Sequence, residues 1–152
     1  MSEPKNILVV EDDREISNAT CLRLRAAGFA AQALYEGCDV VRRAESDPPE
    51  VILLDVRLPD VDGLTTLREL KRLESTRQIP VVMLSASMRD EQAALDSGAR
   101  YFLRKPYDGE NLLMAVRTAI DEVTAAALSQ GGRGAARLPA IAQASRSEKG
   151  NL

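Results

Sequence analysis

The chain alternates short apolar runs with longer stretches whose apolar residues recur every three or four positions. The runs are Ile7-Leu8-Val9-Val10, the weaker and alanine-rich segment from Phe29 to Leu34, Val51-Ile52-Leu53-Leu54, Ile79-Pro80-Val81-Val82-Met83-Leu84 and Ala99 to Leu103. Continuous apolar runs rich in β-branched residues suit strands buried on both faces. The alanine-rich second run suits a strand near a sheet edge. Between the runs, Ile16, Ala19, Thr20, Leu24 and Ala27 fall at helical spacing, and Gly28 supplies the left-handed stop. A second helix carries Val40, Val41 and Ala44 and stops before Asp47-Pro48-Pro49. A third carries Leu64, Leu67 and Leu70 and ends near Glu74-Ser75-Thr76. A short, weakly apolar fourth runs from about Arg89 to Ser97, closed by Gly98. Asp108 caps the last helix, whose stripe is Leu112, Leu113, Val116, Ile120 and Val123.

Five strands alternating with five helices predict an α/β fold: a five-stranded parallel sheet, doubly wound, with right-handed crossovers and helices on both faces. The pattern bounds one domain over 5–124. From 125 to 152 the composition shifts to Ala, Gly, Arg and Ser, including Gly131-Gly132-Arg133-Gly134. This stretch reads as a flexible tail that extends the last helix at its start.

Composition narrows the function. The 152 residues are 45% hydrophobic and 28% charged, as in a soluble globular domain, and the net charge of −3 does not advertise nucleic-acid binding. The chain has no histidine. That excludes His-based catalytic triads, His metal ligands and a phosphohistidine on this chain. Cys21 and Cys38 lack metal-ligand spacing and are read as buried or half-buried small hydrophobes in a reducing compartment. No secretory leader and no membrane-length apolar run is expected, which points to the cytoplasm.

Polar groups follow four of the strands. Glu11 and Asp12 come after the first, Asp55 after the third, Ser85 after the fourth and Lys105 after the fifth. In a parallel sheet all these ends lie on one edge, where open α/β sheets bind ligands. Each residue alone has a plainer role as a loop cap or a solvated charge, but their convergence favours a site. Clustered carboxylates repel and call for a cation, and an all-oxygen ligand set suits Mg²⁺. Mg²⁺ pairs with phosphate, so Asp55 is a candidate nucleophile for a phosphoryl group, with Lys105 as a compact positive charge and Ser85 as a hydroxyl donor.

The segments Ile7-Leu8-Val9-Val10-Glu11-Asp12-Asp13, Asp55-Val56-Arg57-Leu58-Pro59-Asp60-Val61-Asp62-Gly63, Val81-Val82-Met83-Leu84-Ser85-Ala86, Gly98-Ala99 and Phe102-Leu103-Arg104-Lys105-Pro106 together resemble the receiver domain of bacterial two-component response regulators. The resemblance covers roughly residues 5 to 124. It implies a flavodoxin-like fold with strand order 2-1-3-4-5, and an Asp55 that accepts a phosphoryl group from a sensor histidine kinase or phosphotransfer protein. It implies Mg²⁺ held by Asp12, Asp55, the backbone carbonyl of Arg57 and, through water, Glu11. Asp13 is then a helix cap, while a slip of one residue would bring it into the acidic pair instead. The resemblance further implies a cis Lys105-Pro106 peptide. It also implies a switch pair, Ser85 and Phe102, in which the hydroxyl swings to the phosphoryl group and the ring turns inward. That movement would reshape the face of helix four, strand five and helix five.

Arg57 and Ser87 stand two residues after Asp55 and Ser85, where the family tunes phosphoryl lifetime. Arg57 would either shield the group from water or pair with the donor. The expected function is a phosphoacceptor switch that is not an enzyme on other substrates, catalysing only its own phosphorylation and slow autodephosphorylation. It is expected to stand alone as a monomer or weak dimer, acting on a downstream protein without direct DNA or membrane binding. Two alternatives remain: a degenerate receiver working as a phosphorylation-independent interaction module, and an aspartate-nucleophile phosphohydrolase. Against the second, the position such enzymes fill with a further acid holds Arg57.

Overall fold

The computed structural model describes residues 3–129 and 144–146. Chain order gives β1 (Asn6–Val10), α1 (Arg14–Ala26), β2 (Ala30–Leu34), a 3-10 turn at Gly37–Asp39, α2 (Val40–Ser46), β3 (Val51–Asp55), α3 (Gly63–Arg72), β4 (Val81–Ser85), α4 (Asp90–Asp96), β5 (Tyr101–Arg104), α5 (Gly109–Leu128) and β6 (Ala144–Arg146). The sheet order is β2-β1-β3-β4-β5-β6. The first five are parallel, in the order 2-1-3-4-5, and β6 pairs antiparallel with β5. The sixth strand was not expected, because Ala144-Ser145-Arg146 has no apolar run to announce it. The rest of the proposed tail beyond Ser129 lies outside the described residues.

The alternation that makes the strands also splits the core. One layer joins Ile7, Val9, Leu53, Val82, Leu84 and Leu103 to Leu24 of α1 and to α5. The other joins Leu8, Val10, Ile52, Leu54, Val81 and Met83 to α2, α3 and α4. Successive strand side chains point to opposite faces, so a strand covered on both must be apolar at every position. β3 and β4 are buried throughout. The sandwiched sheet holds the carboxyl ends of its strands in register: Asp55 lies opposite Leu84, and Ser85 opposite Arg104.

Helix starts and stops follow local chemistry. Asp13 caps α1 by accepting from Glu15 N at 3.0 Å and Ile16 N at 3.1 Å, and Asp108 caps α5 by accepting from Glu110 N at 2.9 Å. Gly28 and Gly98 have φ of 98° and 110°, the left-handed stops that end α1 and α4. Two burial expectations fail. Val123 is 43% exposed; the buried stripe of α5 is Leu112, Ala115, Val116 and Ala119, and it stops short of Val123. Cys38 is exposed rather than half-buried, because it sits in the turn that leaves the edge strand β2, while Cys21 is buried on α1.

Candidate functional site

The sheet edge brings the predicted residues together. Glu11, directly after β1, and Asp55, the last residue of β3, are both almost fully buried, while Asp12 is exposed. Carboxylate oxygens of all three lie within 4.8 Å of one another. Lys105 reaches in from the loop after β5. Its Nζ donates to Asp55 Oδ2 at 2.9 Å and lies 2.6 Å from Glu11 Oε1. The backbone supports this reach: Lys105 N donates to Ser85 O at 2.8 Å, which extends the β4–β5 pairing by one step, and Lys105-Pro106 is cis as expected.

The electrostatics follow from burial. Loss of water raises the Asp55 carboxyl, the bond from Lys105 pulls it back and the Glu11 charge raises it again, which leaves it at about 6. Burial alone would lower the Lys105 ammonium, but the carboxylates of Glu11 and Asp55 beside it outweigh that and hold it above its ordinary value. Glu11 Oε1 is buried and has no aligned hydrogen bond, despite the ammonium at ion-pair distance. Three clustered carboxylates, one with an incompletely satisfied buried oxygen and none with a nitrogen or sulfur neighbour as ligand, suit a hard divalent cation such as Mg²⁺. The acids that cluster with Asp55 are Glu11 and Asp12. Asp13 is engaged as the α1 cap, and its N–H donates to Glu11 Oε2 at 3.1 Å.

Ser85 is buried, but its hydroxyl donates to Asp90 Oδ2 at 2.6 Å. Its Oγ accepts from Ser87 N at 3.0 Å, and Ser87 Oγ in turn accepts from Arg89 N at 3.2 Å. Arg57 neither covers Asp55 nor stands free: its Nη2 donates to both oxygens of Asp90, at 3.3 and 3.1 Å, with its side chain 69% exposed. Phe102 is buried at 1% exposure, packed in the layer under α4. The ring therefore already occupies the inward position that the resemblance reserves for the phosphorylated form.

Three supporting residues escaped the sequence reading of the site. Asp90, seen only as part of a weak helix, joins Ser85 to Arg57. Gly63, seen as a turn marker, lets α3 press against the strand end: a Cβ there would meet the Asp55 carbonyl oxygen at 2.1 Å. Asp60, within the loop motif, accepts from Gly37 N at 2.9 Å and Cys38 N at 2.8 Å and so ties the β3–α3 loop to the turn after β2. Only the Asp-Gly pair before α3 carried a readable signal. The hydrogen bond between the hydroxyls of Thr20 and Tyr107, at 2.7 Å, likewise fixes the loop after β5 to α1.

Comparison with known proteins agrees with this geometry. Residues 7–117 match the model of the response regulator receiver domain. The chain is 39% identical over 116 residues to the DNA-binding dual master transcriptional regulator RpaA of Synechocystis sp., covering 75% of this chain and 48% of that protein. It is 38% identical over 122 residues to the transcriptional regulatory protein CseB of Streptomyces coelicolor, covering 79% and 51%. The chain thus spans about half the length of these relatives. Among solved structures, the receiver domain of a sensor histidine kinase from Pseudomonas aeruginosa, described with a magnesium ion coordinated in its active-site cleft, superposes with a TM-score of 0.73 at 30% identity, covering 78% of this chain and 98% of that one. A CheY-like receiver domain protein from Methanospirillum hungatei shares the fold, with a TM-score of 0.75 at 24% identity over 81% of this chain and 98% of that one. The chain belongs to the response regulator receiver family and carries a receiver domain of a two-component system. The expectation of no direct DNA binding is overturned by the relatives, which are transcriptional regulators and in one case named as DNA-binding. The charge of an acidic receiver reports on its own surface and not on a DNA-binding region in the remaining half of such proteins.

Proposed function

We propose that this receiver is a phosphoacceptor switch in which Asp55 takes a phosphoryl group from the phosphohistidine of a sensor kinase or phosphotransfer protein. A carboxylate oxygen of Asp55 forms the new bond to phosphorus as the bond from phosphorus to the donor nitrogen breaks, and the electron pair leaves with the imidazole. The observation that carries this reading is the buried Asp55 carboxylate at the end of the central strand, 2.9 Å from the Lys105 ammonium and clustered with Glu11 and Asp12. Lys105 balances charge on a phosphoryl oxygen, and Ser85 is the nearby hydroxyl that would turn from Asp90 to another. Mg²⁺, held by Asp12, Asp55, the Arg57 carbonyl and Glu11 through water, would neutralise charge on the transferring group. The protein turns over no other substrate; it catalyses only its own phosphorylation and slow dephosphorylation.

Phosphorylation then alters the face of α4, β5 and α5 in a monomer or weak dimer in the cytoplasm. The output is control of transcription, as the kinship with transcriptional regulators suggests. No helix among the described residues is long and apolar enough to cross a membrane.

The test is incubation with acetyl phosphate and Mg²⁺, resolved on a phosphate-affinity gel beside Asp55→Asn and an EDTA control. A retarded band that needs both Asp55 and the metal is the expected outcome. Its absence, with a cognate kinase failing too, would favour an interaction module independent of phosphorylation.

A further inference from the structure

The hydroxyl that should serve the phosphoryl group is already committed elsewhere. Ser85 has one hydroxyl proton, and it goes to Asp90 Oδ2 at 2.6 Å. The oxygen lone pair on the other side takes Ser87 N–H at 3.0 Å. Asp90 is the first residue of α4, its side chain only 13% exposed, and its own N–H donates to Ser87 O at 3.2 Å. Arg57 closes the arrangement from the β3–α3 loop by donating to both carboxylate oxygens. The loop after Asp55, the strand end at Ser85 and the start of α4 are therefore joined through a single carboxylate.

We propose that Asp90 is a positioning residue that holds the Ser85 hydroxyl toward α4 in the resting protein, and that a phosphoryl group on Asp55 must win that hydroxyl from it. The second half rests on the reading of Asp55 as the phosphoacceptor. When the hydroxyl turns to a phosphoryl oxygen, Asp90 keeps only Arg57, an exposed partner that holds it weakly. The start of α4 loses its tie to the sheet edge, and the event at Asp55 reaches the α4 face. This route does not require Phe102 to move, which fits a ring that is buried before any phosphorylation and lacks the hydroxyl of a tyrosine. It also gives Arg57 a role other than shielding: the guanidinium holds the Asp90 carboxylate in place.

The test is a double-mutant cycle of Asp90→Ala and Ser85→Ala, with Asp90→Asn as a shape-preserving control, read in two ways. The first readout is the rate of phosphorylation by acetyl phosphate. Releasing the hydroxyl should raise it roughly tenfold for Asp90→Ala in the Ser85 background, the weight of a hydrogen bond to a charged acceptor. It should fall between wild type and Asp90→Ala for Asp90→Asn, and Asp90→Ala should change nothing in the Ser85→Ala background. Equal effects in both backgrounds, or slower phosphorylation in the first, would overturn the proposal. The second readout is hydrogen exchange of residues 86–96 in the unphosphorylated protein. Each single substitution should speed it and the double no further, whereas additive effects would overturn the proposal. If wild type takes no phosphoryl group while the exchange cycle shows the coupling, Asp90 still positions Ser85 and it is the phosphoacceptor reading that has failed.

Discussion

Replacing Asp55 with Asn should make the metal-free protein more stable at pH 7, and the gain should disappear near pH 4. Asp55 is 2% exposed, and burial raises its carboxyl from 3.8 to about 6. A carboxylate whose folded value lies above its unfolded value binds its proton more tightly in the folded state. Its favourable share is therefore present below about 3.8, is lost as pH rises to about 6, and is a full penalty at 7. A shift of this size corresponds to about 3 kcal/mol, at ~1.4 kcal/mol per unit. Asn keeps the shape and removes the charge; the rise to about 6 already includes the opposing pull of the Lys105 bond, so losing that bond adds no further cost. Lys105 retains Glu11, so no cation is stranded. The gain expected is therefore roughly 3 kcal/mol, or about 10 °C in melting temperature for a domain of this size. Urea unfolding of both proteins in EDTA at pH 7 and pH 4 measures it. Destabilisation at pH 7, or an equal gain at both values, would refute the argument that burial and Glu11 together outweigh Lys105 at Asp55.

Lys105→Met should act in the opposite direction: it leaves two buried carboxylates facing each other and should cost about 3–5 kcal/mol in EDTA, with added Mg²⁺ recovering part of the loss in the same unfolding assay. Gly63→Ala should cost more than ~2 kcal/mol and slow phosphorylation, because its Cβ would meet backbone, the Asp55 carbonyl oxygen at 2.1 Å and Val56 Cα at 2.9 Å, neither of which can step aside as a side chain would. Burial lowers the Lys71 ammonium to about 8, so the folded state gives up this proton before the unfolded chain does and stability from this group should rise between pH 8 and 10. The buried acids of Cys21 and Tyr107, both pushed up by burial, work against that rise above pH 9, so the quantity to measure is the difference in urea midpoint between wild type and Lys71→Met, which should change by the order of 1 kcal/mol across the window.

The parts of the fold that were legible are those where burial on both faces leaves the chain no choice. Val51-Ile52-Leu53-Leu54 has no polar position, and only a strand between two helical layers uses such a run fully. Asp55 at its end is conspicuous because a carboxylate gains nothing from a core. Asp13, Asp108, Gly28 and Gly98 were legible as caps because their geometry is set within three or four residues of themselves. Where pattern was weak, the boundaries moved. α3 ends at Arg72 rather than near Thr76, because Thr76 folds back and its hydroxyl donates to the Leu70 carbonyl oxygen at 2.7 Å. Val123 carries an apolar side chain at the right spacing, but spacing does not say where along the helix burial stops.

Asp90 marks a different kind of limit. It opens a seven-residue helix, between Arg89 and Glu91, where an acid is commonplace. Nothing within its own segment distinguishes it from Asp96 or Glu91. Its meaning comes from two partners, five and 33 positions away, that meet it only after β3 and β4 pair in register. The same holds for Arg57, whose sequence position suggested a role at the phosphoryl group and whose guanidinium instead turns to α4. Residues that contact a ligand are constrained by chemistry that can be named in advance, such as a carboxylate for a metal or an ammonium for a phosphate. Residues that hold those groups in place are constrained only by geometry, and many polar side chains would satisfy the chemistry. A receiver with Asp55, Asp12 and Lys105 intact is therefore specified as a receiver by its sequence, while the energy needed to move its Ser85 hydroxyl is set by a neighbour that no motif requires.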